Sequence, residues 1–151
     1  MKSEATITPK PLPDCAIFLL AKAYQMAHGR FQEMLNPFGL TNLQHLVLEG
    51  LWHMEGQTAA ELGKLLVLDK ATLSGVLDRM REAGWIAKRP DPQDRRVVRL
   101  FTAPKAAKLK DELVALRRRA NAQLLAAFSL EEQVLLKRLL KDLAGVNCEI
   151  C

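Results

Sequence analysis

Two closely spaced helix-start signals constrain this chain most strongly, because they require two short helices joined by a tight turn. Thr58 and Glu61 form a capping box, which predicts that the first helix begins there. Asp69 can cap the second helix. The side chains of the first helix predicted to face the interior are Ala59, Ala60, Leu62, Leu65 and Leu66. On the second helix, apolar residues recur three and four positions apart, and the side chains predicted to face the interior are Leu73, Val76, Leu77 and Met80.

A charged hairpin is predicted to follow this helix-turn-helix. Gly84 suits the left-handed position that ends a helix. Residues 85–87 and 97–101 favour two antiparallel strands. The loop between them, residues 89–96, contains two prolines and mostly charged side chains. Since it has no apolar residue to bury, we expect it to project charge into solvent.

Positive charge is concentrated on and after the second helix. Residues 79–99 contain seven Lys or Arg against three acids, and residues 105–119 contain six against two, whereas the whole chain has a net charge of +5. Such focusing suits phosphate binding. The side of the second helix away from its apolar stripe is small and polar, which suits close approach to a nucleic-acid groove, although it also suits a merely solvated face. This side carries Lys70, Thr72, Ser74, Gly75 and Arg79.

The order of these motifs resembles that of the MarR family of bacterial transcription regulators. The motifs are Leu40-Thr41...Gln44, Thr58...Glu61-Leu62, Thr72-Leu73-Ser74...Leu77...Met80, Gly84-Trp85-Ile86...Arg89, Asp91-Pro92-Gln93-Asp94-Arg95-Arg96 and Leu100...Thr102. The resemblance implies that the second helix enters the major groove of DNA. It also implies that Arg96 reaches the adjacent minor groove and that Asp94 orients it. The chain departs from the family after Thr102, where Ala103-Pro104-Lys105 replaces a common Leu-Thr-x-x-Gly ending.

The predicted fold is mainly α with a small β-wing. Residues 37–102 are predicted to form a winged helix-turn-helix DNA-binding domain, flanked by N- and C-terminal dimerisation helices in residues 14–36 and 103–145. Residues 1–13 are expected to form a flexible arm and residues 146–151 a tail. The flanking helices are apolar on more than one side, which is most simply explained by a two-fold dimer.

Further caps define these flanking elements. Asp14 is predicted to cap the first helix, Thr41 and Gln44 to form a capping box, and Ser129 and Glu132 to form another. The helix between the hairpin and the last helix is predicted to run from residue 103 to about residue 128.

The candidate sites follow from the same assignments. The predicted DNA contacts are Thr58, Lys70, Thr72, Leu73, Ser74, Gly75, Arg79, Lys88, Arg89, Gln93, Asp94, Arg95 and Arg96. The resemblance implies a small-molecule effector, often an aromatic acid. Rings and polar groups that suit such a ligand occur at Tyr24, His28, Arg30, Phe31, Phe38, His45 and Trp52, although these residues also suit an ordinary core.

These features favour a sequence-specific regulator that binds an inverted-repeat operator in double-stranded DNA as a homodimer, as a repressor released by its ligand. Two alternatives remain open: a redox-responsive regulator using Cys15 or the pair Cys148 and Cys151, and a helical interaction module whose basic loop binds an acidic protein. We expect no enzymatic activity, cofactor or metal, because no catalytic constellation occurs and no second Cys or His pair at ligand spacing accompanies Cys148 and Cys151. Without an apolar span or signal peptide, a cytoplasmic location is expected.

Overall fold

A computed structural model describes residues 13–146 and confirms the mainly α architecture with a small β-hairpin. The described helices are α1 (Ala16–Leu35), α2 (Asn42–His53), α3 (Ala59–Leu66), α4 (Lys70–Glu82), α5 (Pro104–Leu124) and α6 (Leu130–Ala144). The strands are β1 (Ile86–Pro90) and β2 (Val98–Thr102). The expected arm up to residue 12, the tail from residue 147, and both Cys148 and Cys151 lie outside the described residues.

Side-chain caps fix the starts of α2, α3, α4 and α6. Thr41 Oγ1 accepts a hydrogen bond from the backbone N–H of Gln44 at 3.2 Å, and the Gln44 side chain accepts one from Thr41 N–H at 2.9 Å. The same reciprocal pairs are formed by Thr58 with Glu61 and by Ser129 with Glu132. Asp69 accepts a hydrogen bond from Thr72 N–H at 2.9 Å. Each such cap typically stabilises a helix by about 1 kcal/mol.

The start of α1 differs from the prediction. Cys15, in extended conformation, occupies the N-cap position, and no side chain caps the helix. Asp14 therefore lies one residue too early to accept a hydrogen bond from the first turn. The helix ends at Leu35 and is followed by a 3-10 turn over Asn36–Phe38. Gly39 reverses the chain there with a φ of +67°.

The core lies within the winged helix-turn-helix domain and extends onto the first half of α5. Its largest buried side chains include Leu35, Leu48, Leu51, Leu62, Leu73, Leu77, Met80, Trp85, Leu100 and Leu113. Gly50 lets α3 pack close to α2, because a Cβ at that position would lie 2.7 Å from Cδ1 of Leu62. All four inward positions predicted on α4 are buried, at Leu73, Val76, Leu77 and Met80.

The inward face predicted for α3 is only partly correct. Leu62 is buried and Leu66 is half-buried, whereas Ala59, Ala60 and Leu65 are exposed. Although α3 packs against α2, α4 and β2, these contacts do not cover Ala59, Ala60 and Leu65. Ala59 and Ala60 instead line an open groove of about 770 Å³ between α3, α4 and the hairpin.

Both strands begin one residue later than predicted. For β1, the end of α4 uses the backbone N–H of Trp85, and for β2, the backbone N–H of Val97 donates to the carbonyl of Asp94 within the loop. The N–H of Trp85 donates to the carbonyl of Met80, and the N–H of Gly84 donates to that of Arg81. This pair of hydrogen bonds, with Gly84 at φ +74°, is a Schellman motif, which satisfies otherwise unpaired helix carbonyls. The ladder then starts at Ile86, which pairs with Thr102.

The flanking helices carry apolar side chains that the described chain leaves uncovered. The α5 helix ends at Leu124, earlier than expected, and Leu125 and Phe128 form a turn into α6. No residue of α6 is buried. Exposed large apolar residues occur on α1 at Ile17, Leu19, Leu20, Tyr24 and Met26, and on α6 at Leu130, Val134, Leu135, Leu139, Leu140 and Leu143. Among the described helices, none combines the length and apolarity needed to traverse a lipid bilayer.

Candidate nucleic-acid interface and ligand cavity

The exposed side of α4 carries four of the polar residues predicted to contact DNA. Lys70, Thr72, Ser74 and Arg79 are exposed, and Thr72 also donates its hydroxyl hydrogen to the capping Asp69. This side therefore offers hydroxyl, ammonium and guanidinium groups to a partner.

Leu73 does not belong to this surface. Its side chain is only 2% exposed and packs in the core. The same helical spacing that places Ser74 outward places Leu73 inward. Leu73 is therefore corrected from a predicted DNA contact to a residue that supports α4 from beneath.

Gly75 makes one part of the α4 surface flat. A Cβ at this position would lie 3.4 Å from Nη1 of Arg79, which extends back along the helix. Without that Cβ, another backbone or a nucleic-acid groove can approach the helix closely at this point.

The hairpin loop is held by Asp91, whose side chain is buried. One carboxylate oxygen accepts hydrogen bonds from the N–H groups of Gln93, at 2.7 Å, and Asp94, at 3.2 Å. The other accepts from Nε of Arg99, and this bond holds the pKa of Asp91 below its ordinary value. Arg99 also donates from Nη1 to the carbonyl of Gly56 at 2.8 Å. Arg99 therefore anchors the hairpin to the segment that precedes α3.

At the tip of this loop, Asp94 and Arg96 form a two-point ion pair. Nε and Nη2 of Arg96 each lie 3.0 Å from a carboxylate oxygen of Asp94. The hydrogen bond from Arg96 lowers the pKa of Asp94, so the pair is ionised at neutral pH. The Arg96 side chain is nevertheless 90% exposed. The arrangement fixes the direction of an exposed guanidinium without burying it.

Three other predicted DNA contacts already have partners within the chain. Lys88 Nζ lies 2.7 Å from Oδ1 of Asp78 and ties β1 to α4. The guanidinium of Arg89 lies over the ring of Phe101, 4.9 Å from its centroid. Thr58 is the N-cap of α3. By contrast, Gln93 and Arg95 are exposed on the loop.

A cavity of about 280 Å³ lies between α1, the start of α2 and α5. It brings together four of the seven residues predicted to bind a ligand, namely Tyr24, His28, Arg30 and Phe31. The rings of Tyr24 and His28 are 5.2 Å apart. The remaining lining residues are Ala27, Met34, Asn42, Arg117, Ala120, Asn121, Gln123 and Leu124.

Phe38, His45 and Trp52 do not line this cavity. His45 is 2% exposed and packs edge-on against Phe31 and Trp52, with ring centroids 5.1 and 6.2 Å away. Its Nε2 atom lies 3.6 Å from Oε1 of Glu49. Burial lowers the pKa of His45 from its ordinary value of 6.5. His45 is therefore neutral at pH 7. It is a core residue, because its side chain lies on the side of α2 that faces the interior.

Sequence reasoning missed Arg117, which the structure places in the cavity wall. In the sequence, the three consecutive arginines at 117–119 favour a solvated face or a contact with an acidic patch on a partner chain. Arg118 and Arg119 are indeed exposed, but Arg117 is half-buried. The signal was available in the helical spacing, since Arg117 lies between the apolar positions Leu116 and Ala120.

Comparison with known proteins agrees with this architecture. A family model described as MarR family matches residues 40–98. The chain is 29% identical over 136 residues to the HTH-type transcriptional repressor NicR of Pseudomonas putida, covering 90% of this chain and 86% of that protein.

Two solved structures are also similar. BpsR of Bordetella bronchiseptica, described in a study of the regulation of its DNA binding by 6-hydroxynicotinic acid, superimposes with a TM-score of 0.83 at 26% identity, covering 93% of this chain and all of that one. A mutant MarR from E. coli in complex with operator DNA has a TM-score of 0.77 at 27% identity, covering 83% and 91% of the two chains. With its winged helix-turn-helix fold and these regulators as relatives, the chain belongs to the MarR family of transcription regulators.

Proposed function

We propose that this chain is a sequence-specific repressor that binds double-stranded DNA as a homodimer and releases it on binding a small aromatic acid. The observation that carries the DNA-binding part is the pairing of Arg96 with Asp94, which directs a 90% exposed guanidinium on a rigid loop. Side chains placed in this way suit insertion into a narrow, negatively charged minor groove.

The polar side of α4 would read the adjacent major groove. Ser74 and Thr72 offer hydroxyl groups for base edges or phosphates, and Gly75 leaves room for close approach. Arg79, with Lys70 at the start of the helix, would supply cationic contacts. The complex of MarR with operator DNA supports this assignment for a protein of similar fold.

The exposed apolar faces of α1 and α6 support a two-fold dimer. Such faces are stable in water only when another surface covers them. A two-fold axis would place two copies of α4 about one helical turn of DNA apart, roughly 34 Å, and so require an inverted-repeat operator.

The cavity between α1 and α5 supports control by a ligand. An effector can release DNA only if it binds the DNA-incompetent arrangement of the dimer more tightly than the competent one. The cavity borders α1, which carries part of the proposed dimer face, and α5, which leads from the hairpin to α6, so ligand binding there can alter the spacing of the two DNA-binding domains. The regulation of BpsR by 6-hydroxynicotinic acid supports an aromatic acid as the effector class.

The direct test compares Arg96→Ala with Arg138→Ala on an inverted-repeat duplex selected by the wild-type protein from random DNA. Arg138 is also exposed and also paired with an acid, Asp142, but it lies on α6. Arg96→Ala is expected to weaken binding by about tenfold to a hundredfold and to reduce its salt dependence, while Arg138→Ala leaves both unchanged. A protein that binds an acidic protein partner instead of DNA would select no duplex.

A redox-responsive regulator is the second candidate, favoured by the exposed, free thiol of Cys15 at the start of α1. In this case oxidation of Cys15, alone or with Cys148 and Cys151, would release the operator. Operator release by an organic hydroperoxide in the wild-type protein, lost in Cys15→Ser, would support this candidate. Release that persists in a variant lacking all three cysteines would eliminate it.

A further inference from the structure

Arg117 is held in the wall of the α1–α5 cavity by a single strong contact. Its Nε atom donates a hydrogen bond to Oε1 of Glu49 at 2.6 Å. Glu49 lies on α2 and is only 8% exposed, so the carboxylate that holds Arg117 is itself fixed. The guanidinium plane is therefore oriented by a buried partner on a different helix.

The terminal nitrogens of Arg117 are available. Nε is taken by Glu49, while neither Nη1 nor Nη2 forms a hydrogen bond with any of residues 13–146. A guanidinium carries five N–H donors in a planar fork, and its Nη1–Nη2 edge matches the two oxygens of a carboxylate. Arg117 lines the cavity together with Asn121, which lies one helical turn later and offers a further polar group.

The rest of the cavity suits an aromatic anion. Its lining includes two arginines and no acidic residue, and although Glu49 behind the wall pairs with Arg117, Arg30 leaves a net positive charge around the cavity, which favours a negative ligand. Tyr24, Phe31, Met34 and Leu124 provide apolar surface for a ring. At about 280 Å³, the cavity is slightly smaller than the usual range of ligand sites, about 300 to 1,000 Å³, which favours a single ring over a larger ligand.

Arg117 differs from the cations named from the sequence. Arg30 and His28 are exposed, so water screens their interaction with an anion. The Arg117 side chain is only 25% exposed and is fixed before a ligand arrives. An ion pair between a ligand carboxylate and Arg117 should therefore be stronger than one with Arg30 or His28, because Arg117 is less solvated and needs no reorganisation.

We propose that Arg117 is the residue that binds the carboxylate of an aromatic monocarboxylic acid in this cavity, and that Glu49 positions its guanidinium for that contact. The inference rests on the proposed effector-binding function and names its specificity-determining residue. Glu49 plays no part in contacting the ligand; it holds the Nε edge so that the Nη edge faces the cavity.

The test is isothermal titration of the full chain with 6-hydroxynicotinate and benzoate, and with the corresponding neutral amides. Wild-type protein is expected to bind an acid at least about tenfold more tightly than its amide, as for loss of one charge-assisted hydrogen bond. Arg117→Gln should remove that preference by weakening acid binding alone. Arg118→Gln, the same change at the exposed next residue, should leave it intact.

A second pair of variants separates recognition from folding. Arg117→Gln leaves the buried Glu49 without its partner, which can destabilise the protein, whereas Arg117→Lys retains a cation for Glu49. Arg117→Lys should still reduce the preference for the acid. Its single ammonium group is held by Glu49 and, unlike a guanidinium, has no second edge with two N–H donors for the ligand carboxylate. Glu49→Gln keeps an acceptor for Nε and should retain the preference, while Glu49→Ala should lose it.

The outcomes are distinguishable. If wild-type protein prefers acids and both Arg117 variants retain that preference while still binding the operator duplex, the role of Arg117 is overturned and the proposed function stands. If Glu49→Ala retains the preference, the positioning role is overturned. If wild-type protein binds none of the acids, both this inference and the effector part of the proposed function fail. The DNA-binding part is unaffected by that result, because the Arg96→Ala comparison on the operator duplex tests it independently.

Discussion

Arg96 donates two hydrogen bonds to Asp94, from Nε to one carboxylate oxygen and from Nη2 to the other, each at 3.0 Å. Asp94 also accepts from the backbone N–H of Arg96 at 3.0 Å, so one side chain fixes both the loop and the guanidinium. Because Arg96 remains 90% exposed, the contact directs the side chain rather than neutralising it in the interior.

Asp94→Asn is expected to weaken operator binding, even though it removes a negative charge from a surface that would face phosphates. An amide cannot accept two charge-assisted hydrogen bonds from Arg96, so the guanidinium loses its fixed direction. We expect a loss of several-fold to about tenfold, measured by fluorescence anisotropy at fixed salt. Glu82→Gln, which removes an exposed acid at the end of α4, is the matched control. Tighter operator binding by Asp94→Asn would show that the net charge of the loop, and not the direction of the Arg96 guanidinium, determines its contribution to affinity.

Gly75→Ala should separate stability from function. Alanine is preferred over glycine within a helix by up to about 1 kcal/mol, so the free energy of unfolding should rise, less a small cost for moving Arg79. The added methyl group occupies the surface where α4 would approach DNA, so operator affinity should fall. Gly29→Ala on α1, where a Cβ meets nothing within 4 Å, should stabilise the protein with no effect on DNA binding. Unchanged operator affinity in Gly75→Ala would mean that this side of α4 does not enter the groove.

Local signals in the sequence predicted much of this structure. The capping partners Thr58 and Glu61 lie only three residues apart, and Gly84 needs only its own backbone conformation, so both features can be predicted without tertiary information. The helical spacing also places Leu73 on the inward face of α4, which contradicts the prediction that it contacts DNA. These features are properties of single elements.

The remaining features depend on contacts between elements that are distant in sequence. The role of Arg117 arises from Glu49 on another helix, which no local pattern reveals. His45 belongs to the core because Phe31 on α1 and Trp52 on α2 both pack edge-on against it. Ala59 is exposed because the contacts of α3 with α2, α4 and β2 do not cover it. Periodicity identifies an apolar or polar face, but it does not identify what lies opposite.

The buried imidazole of His45 should make stability depend on pH. Its pKa is lowered in the folded chain, chiefly by burial, so the unfolded chain takes up a proton near pH 6.5 before the folded chain does. The contribution of the neutral His45 to the free energy of unfolding should therefore be complete above pH 6.5. It should decrease as the pH is lowered, by up to about 1.4 kcal/mol per pH unit.

Urea unfolding of His45→Gln between pH 7 and pH 5.5 checks this expectation. The variant should lose much of the wild-type decline, whereas His53→Gln, at an exposed position, should retain it. Equal slopes in wild-type protein and His45→Gln would place the acid sensitivity in another group.

Leu139→Glu should dissociate the proposed dimer. Leu139 is 48% exposed and belongs to the apolar face of α6 that the described chain leaves uncovered. A carboxylate there would be buried without a partner in a dimer, which costs several kcal/mol. Light scattering after size-exclusion chromatography should show a monomer for Leu139→Glu and a dimer for Lys137→Glu, an exposed polar position on the same helix. A dimeric Leu139→Glu would move the interface away from this face.

The central claim is that two copies of α4 and its hairpin read one duplex together. Its most direct measurement is native mass spectrometry of the protein with its selected operator, alongside the same operator carrying about five extra base pairs between the half-sites, half a helical turn. Two chains should bind each operator duplex, and the insertion should weaken binding by at least about a hundredfold, since one half-site then faces away. One chain per duplex, or equal binding to both DNAs, would contradict the account.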